Sequence, residues 1–508
     1  MRHLLLFTFF IVTSLNSFSQ ISQPKRFELE IDNLNDDINV MSAEENGLYL
    51  FRELDKKTFS KEASWEIIRL DTNLVEVSKA SLLIDNKYSL RGYAYNNGRF
   101  VLLFQEGEFY AKDLLLVTFN AINDTYATYI YENLVPINLS EFELKDDAVI
   151  FGGDVNGRAV AMLYNFTEQK GTVLPGFYSD RSQLLQIATD LNPGLFKIVT
   201  SERRLDKTYG INVKIYTTQG KFLGDQEFDG EGDISLIEGS LVGMNSRKDI
   251  LAGTYSYKSK IESSRGIFLS SLNQEGIDLQ YYNYGDLENF FNYMREKKKK
   301  RIKERIKRKK IKGKRLKFRY RLFVHDIIET GGQYLLIGEA YYPTYTDASS
   351  SQVNFARMNY GRYGISYPST RIFDGYKYTH AIIIGFNEQG KLLWDNSFEI
   401  NDLKSFDLRE HVHTVVKNDR MIMVYLYDQE LSAKVINEEE IVQQKFVEPL
   451  KLKYENDEVR DYNENVEKLE KWYGDCFFAF GISKVKNLKD SNIDLNRKVF
   501  FINKIVVE

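Results

Sequence analysis

A single cysteine, Cys476, serves the whole chain, which excludes an intramolecular disulfide and any disulfide-stapled scaffold. It opens an apolar run, where a small buried residue is expected rather than a nucleophile. Beyond the N-terminus no stretch reaches ~18 apolar residues, so no helix of the mature chain is expected to span a membrane. Catalytic signatures are missing too: there is no G-x-S-x-G elbow and no H-E-x-x-H. Proline is scarce at seven. Aromatic residues are plentiful instead, with 34 Phe and 33 Tyr, a composition suited to pleated, half-buried strands.

The chain begins MRHLLLFTFFIVTSLNSFSQ. Arg2 provides the positive start, Leu4 to Val12 the apolar run, and Ser17-Phe18-Ser19 the small-x-small pattern before a cut at Gln20. Residues 1–19 therefore read as a signal peptide and 20–508 as the mature, exported protein. A lipid-anchored precursor needs a cysteine after the cut, and Gln20 stands there. SFSQ resembles the signal endings of bacteria that use type IX secretion, whereas the final RKVFFINKIVVE does not resemble that system's sorting domain. The resemblance implies a periplasmic location, soluble or peripherally membrane-associated.

Eight short apolar runs recur: GLYLFREL from Gly47, GRFVLLFQ from Gly98, DAVIFGGD from Asp147, LFKIVTSE from Leu195, DILAGTYS from Asp249, QYLLIGEA from Gln333, RMIMVYLY from Arg420 and CFFAFGIS from Cys476. Each is followed by a second run ending near Asn, Asp or Gln, such as WEIIRLDTN or AIIIGFNEQGKLLW. Runs rich in Val, Ile, Phe and Tyr between Gly, Asn and Asp turns predict antiparallel strands. The first starts lie 51, 49, 48 and 54 residues apart. One small sheet cannot bury both faces, but a ring of sheets can, so this period points to propeller blades. The chain resembles β-propeller repeat proteins over most of its mature length. That implies an all-β, seven- or eight-bladed β-propeller, with a sandwich pair or a β-solenoid as alternatives.

Three stretches exceed the period, at about 285–322, 341–379 and 452–475. The first holds MREKKKKRIKERIKRKKIKGKRLKFRYR: from Arg295 to Arg321, 18 Lys or Arg stand against two acids, in a chain of net charge −4. Good helix formers predict a basic helical insertion, with Asp286 as a cap and Gly313 as a stop. The second is a Tyr/Arg-rich loop, and the third is acidic and helix-like. Insertions of this kind often carry binding. The candidate binding residues are Lys297, Lys298, Lys299, Lys300, Arg301, Arg305 and Arg308 in the first, and Tyr341, Tyr342, Tyr345, Arg357, Tyr360, Arg362 and Tyr363 in the second.

Cationic side chains in this density suit an anionic membrane surface or an acidic protein partner. Export and the absence of aromatics between Arg295 and Lys317 argue against nucleic acid. GFNEQGKL from Gly385 has the spacing of a phosphate loop, but Leu392 replaces the Mg²⁺-binding hydroxyl, so a hairpin turn is expected. HVH at 411–413 puts two imidazoles on one strand face, more often a surface or turn feature than a metal site. DGEGD at 229–233 lacks the order of a calcium loop and is expected to be an acidic turn. No catalytic residue, metal or cofactor is expected. The expectation is a non-enzymatic periplasmic binding or scaffold protein belonging to an envelope or outer-membrane complex. One such place is the plug or an accessory of a type IX translocon; the alternative is a glycan-binding or glycoside-cleaving propeller.

Overall fold

A computed structural model describes residues 21–54, 61–107, 111–120, 125–189, 192–242, 250–258, 262–273, 276–318, 320–347, 371–489 and 494–508. The expected signal at 1–19 lies outside them, as do Arg357, Tyr360, Arg362 and Tyr363. The architecture is an all-β propeller of eight blades. In chain order they occupy 38–85, 88–132, 138–173, 182–228, 234–283, 321–399, 413–449 and 457–507. Blades 2 and 3 share one 21-residue strand, Thr125–Lys145. Its first part pairs outward in blade 2, and its second part is the inner strand of blade 3.

The eight recurring runs are the second strands of the blades, and the runs after them are the third strands. Each such strand is flanked on both edges, so alternate side chains can point into the two neighbouring interfaces. In blade 8, Phe477 packs toward blade 7 and Phe478 toward blade 1. In blade 6, Leu335 faces blade 7 and Leu336 faces blade 5. One apolar cluster fills each of the eight boundaries among the described residues. Each fully buried Leu, Ile or Phe contributes about 1.5–3 kcal/mol, so blade-to-blade packing is the main stabilising term.

The ring closes through its first strand. Ile21–Glu30 pairs antiparallel with the third strand of blade 8, Asn496–Val507, in a register that sets Phe27 against Ile502. Polar side chains fasten the seam. Arg26 reaches Asn503 Oδ1 at 2.8 Å, Gln23 donates to the Pro449 carbonyl at 3.0 Å, and Arg497 pairs with fully buried Asp457 at 2.7 Å.

The expected turns form where the sequence placed them. Asn387 Oδ1 accepts the Lys391 amide at 2.8 Å while Gly390 takes φ +75°, closing a hairpin rather than a phosphate loop. Two expectations about blade 8 fail. Residues 452–475 contain no helix; they supply the inner strand of blade 8 as two pieces, Asp457–Tyr462 and Lys468–Lys471, both paired with Cys476–Asn487. Without partners to bury its faces, an acidic, charge-rich stretch looks helical, but an unpaired edge of the last blade recruits it as strand. Cys476 is half-buried rather than buried, because it sits at the strand's first residue.

Candidate polyanion-binding surface

Between blades 5 and 6 the chain leaves the ring and returns through the helix Glu296–Ile311. Arg295 occupies the cap position with no side-chain bond, and Gly313 at φ +58° ends the helix as expected. Asp286 is not the cap. It accepts the Asn283 amide at 2.9 Å and pairs with Lys310 at 2.7 Å.

The helix is seated on the ring rather than projecting from it. Ile306 is buried and Ile302 half-buried, four residues apart on one face. They pack into the cluster of Tyr284, Leu287, Phe290, Phe291, Leu316 and Phe318, continuous with Leu336 and Ile384 of blade 6. The segment before the helix is pinned to the outer strand of blade 6. Asp395 accepts the Glu288 and Asn289 amides at 2.7 Å each, and Asn289 Nδ2 donates to the Asp395 carbonyl. The basic run is therefore a structural wedge as well as a charged surface. Its apolar partners come from the irregular residues 284–291, from Leu316 and Phe318 at the end of the charged run, and from blade 6.

That seating fixes the charges outward. Lys297, Lys298, Lys300, Arg301, Arg305 and Arg308 are exposed; Lys299 is half-buried against Glu296 at 2.5 Å. Of the sixteen cations from Arg295 to Lys317, only Lys299, Lys310 and Arg315 form ion pairs among the described residues. Arg315 holds Asp233, in the acidic DGEGD turn, with both carboxylate oxygens within 2.9 Å.

The second insertion begins as an extension of blade 6. The strands Gln333–Asp347 and Arg371–Asn387 run on as a hairpin, braced by Lys404–Ser405 pairing with Tyr376 and Lys377. Tyr342 is exposed and Tyr345 half-buried against Phe373. Tyr341 is buried among Tyr376 and Tyr378, so it belongs to the core and is unavailable to a partner.

The HVH pair is no surface feature. Among the described residues, no group of three or more His, Cys, Asp or Glu is arranged to hold a metal. His413 is buried, with Nδ1 2.8 Å from Glu410 and Nε2 donating to the Leu469 carbonyl at 2.6 Å. Two acceptors on one ring stabilise the imidazolium. Burial opposes that charge, yet the Glu410 contact raises the His413 pKa and the Glu410 carboxyl falls to about 2. His325 stands between Glu339 at 3.1 Å and Glu410 at 3.6 Å, joining blades 6 and 7.

His380 behaves in the opposite way. It is wholly buried, stacked on Tyr293 at 3.9 Å and edge-on to Phe290, and burial pushes its imidazole from 6.5 down to about 3. The unfolded chain then binds the proton first, so stability falls as pH drops below about 6.5, with a slope of up to ~1.4 kcal/mol per pH unit. Urea midpoints measured near neutrality and near pH 5 should show this loss, and His380→Gln should remove that component of it. A pH dependence identical in the variant would contradict the assignment.

No family model matches the chain, and no curated protein matches it. Similar solved structures include the Dos1 propeller, 10% identical with a TM-score of 0.40 over 83% of this chain and 92% of that one. Polysaccharide lyase Uly1 is 9% identical, TM-score 0.39, over 83% and 90%. The β-propeller domain of the Trilobed protease from Pyrococcus furiosus is 8% identical, TM-score 0.37, over 80% and 97%. These likenesses carry no argument about activity.

Proposed function

We propose that this chain is an exported, non-enzymatic binding or scaffold propeller of an envelope complex, using the basic helix as its contact with a polyanionic partner. The carrying observation is the combination of a helix locked into the core at Ile306 with most of its cations unpaired and outward. A charged tail would spend entropy on every contact; a seated helix presents its charges already ordered. The expected leader at 1–19 supports an envelope location. A place as plug or accessory of a type IX translocon is the narrowest form of this reading, supported by SFSQ.

Affinity purification from the native envelope tests it. Reversal of Lys297, Lys298, Lys300 and Arg301 to Glu should strip co-purifying partners, and raised salt should do the same to the wild type, because exposed charges are screened within about 10 Å at 0.1 M. An unchanged partner set after reversal would sink the proposal.

The glycan reading has one observation in its favour. Glu141 and Glu143 lie two residues apart on the inner strand of blade 3, and burial pushes both carboxyls up to about 7, the range of a proton donor. All three tryptophans, Trp65, Trp394 and Trp472, are buried, so any stacking on a sugar would fall to exposed tyrosines such as Tyr342.

A further inference from the structure

We infer that the end of blade 6 carrying both insertions is a bilayer-facing rim, in which the basic helix engages anionic lipid phosphates and the aromatic hairpin enters the headgroup layer. This rests on the contact proposed above and names its partner. The strand register brings the two insertions to one place. Arg321, where the basic insertion re-enters the ring, pairs with Tyr341, and Tyr341 pairs with Tyr378, at the point where the hairpin continues past the blade. Both stems of the helix root there: Tyr293 stacks on His380 of the same blade end, and its hydroxyl lies 3.2 Å from that of Tyr320.

Beyond this line the hairpin and its brace expose Tyr342 at 47%, Phe406 at 47% and Leu408 at 36%. Phe406 contacts Phe373 of the hairpin, so the brace and hairpin form one aromatic ridge. Ile311 is exposed at the end of the helix. Two acids of this ridge are paired, Asp374 with Lys404 at 2.6 Å and Asp402 with Lys377 at 3.2 Å, while Asp407, between Phe406 and Leu408, is exposed and has no ion pair among the described residues. Amphipathic aromatics beside unpaired cations is the composition favoured at a membrane interface.

The cation type separates lipid from protein as the occupant. From Arg295 to Lys317 there are eleven Lys and five Arg. Protein interfaces enrich the rigid, forked Arg and deplete Lys, whereas a hydrated point charge on a flexible stem suits phosphates at no fixed spacing. The exposed cations also surround the helix on every side except the Ile302–Ile306 stripe. A headgroup layer that closes around the helix can satisfy them, and a single docked protein face cannot.

Co-sedimentation of the mature protein with phosphatidylcholine vesicles, with and without phosphatidylglycerol, tests this. Binding should require phosphatidylglycerol and weaken with salt. Reversal of Lys297, Lys298, Lys300 and Arg301 to Glu should lower affinity at least about a hundredfold, at about 1 kcal/mol per cation. Neutralisation of the same four to Gln should lower it less. Tyr342→Ser with Phe406→Ser should lower it several-fold and make the remainder more salt-sensitive; an unchanged affinity would overturn the hairpin's part. Far-UV spectra and melting of each variant confirm the ring. Vesicle binding that survives charge reversal overturns the inference. So does its absence when the same cations still capture an acidic envelope protein, an outcome that leaves the scaffold proposal standing. If neither lipid nor protein binds, both fall.

Discussion

Replacing Arg497 by Met should cost about 3–5 kcal/mol and turn a cooperative melt into an early, broadened one. Asp457, its partner at 2.7 Å, is fully enclosed and would be left as an uncompensated charge. Arg497 also lies 3.6 Å from Glu28, so the same guanidinium ties the inner strand of blade 8 to the closing strand across the third. The cost should arise from the abandoned carboxylate rather than from the lost pair. Arg497→Met combined with Asp457→Leu should therefore recover most of the stability, which denaturant midpoints will show. Failure of the double variant to recover would mean that the pair sets strand register rather than merely neutralising charge. Removing 21–30 altogether should be worse. Fully buried Asn503 would lose its Gln23 partner, and the third strand would be left with a bare edge.

Phe290→Ala should cost about 3–5 kcal/mol, the usual range for emptying a buried aromatic site. Phe290 is wholly buried, stacked on Tyr284 at 4.5 Å and packed edge-on against Phe291 and Tyr320. Its loss hollows the floor on which the basic helix sits, so a second readout accompanies the melt. Trypsin should cut between Arg295 and Lys317 sooner than in the wild type, since those bonds become substrates once Ile306 lifts from its cluster. Ile306→Ala should produce the same nicking at a smaller cost in stability. Equal protection of the run in both variants would show that the helix is held by Asp286 and Asp395 rather than by apolar contact.

The sequence announced the second and third strands of every blade, because these are buried on both faces and spell continuous apolar runs such as Phe100 to Phe104. Inner and outer strands were silent. Tyr88–Asn96 is half-buried almost throughout, and Glu76–Asp85 mixes exposed Val77 and Leu83 with buried Leu82 and Ile84, so neither carries a clean period. The helix was legible from its residue types. Its seat was not, because the cluster that Ile306 shares with Phe290 depends on how two irregular segments return to blade 6. Tyr341 and Tyr342 show the same limit: adjacent tyrosines in one motif, one in the core and one in solvent, separated only by the alternation of a strand whose existence there the spacing did not reveal.

The seam between the first strand and the last blade also dictates a timetable. Arg26 and Asn503, hydrogen-bonded partners in the finished ring, are 477 residues apart in the chain. Blades 1 to 7 each pair strands close in sequence and can form as the chain arrives, whereas this seam waits for the final residues. Until then the first strand carries ladder groups with nothing to bind, and the apolar flanks of blades 1 and 8, Leu48 and Phe478 among them, remain unmatched. Closure is thus expected to be the slowest step of folding, and a chaperone that shields strand edges would be expected to act there before anywhere else on the ring.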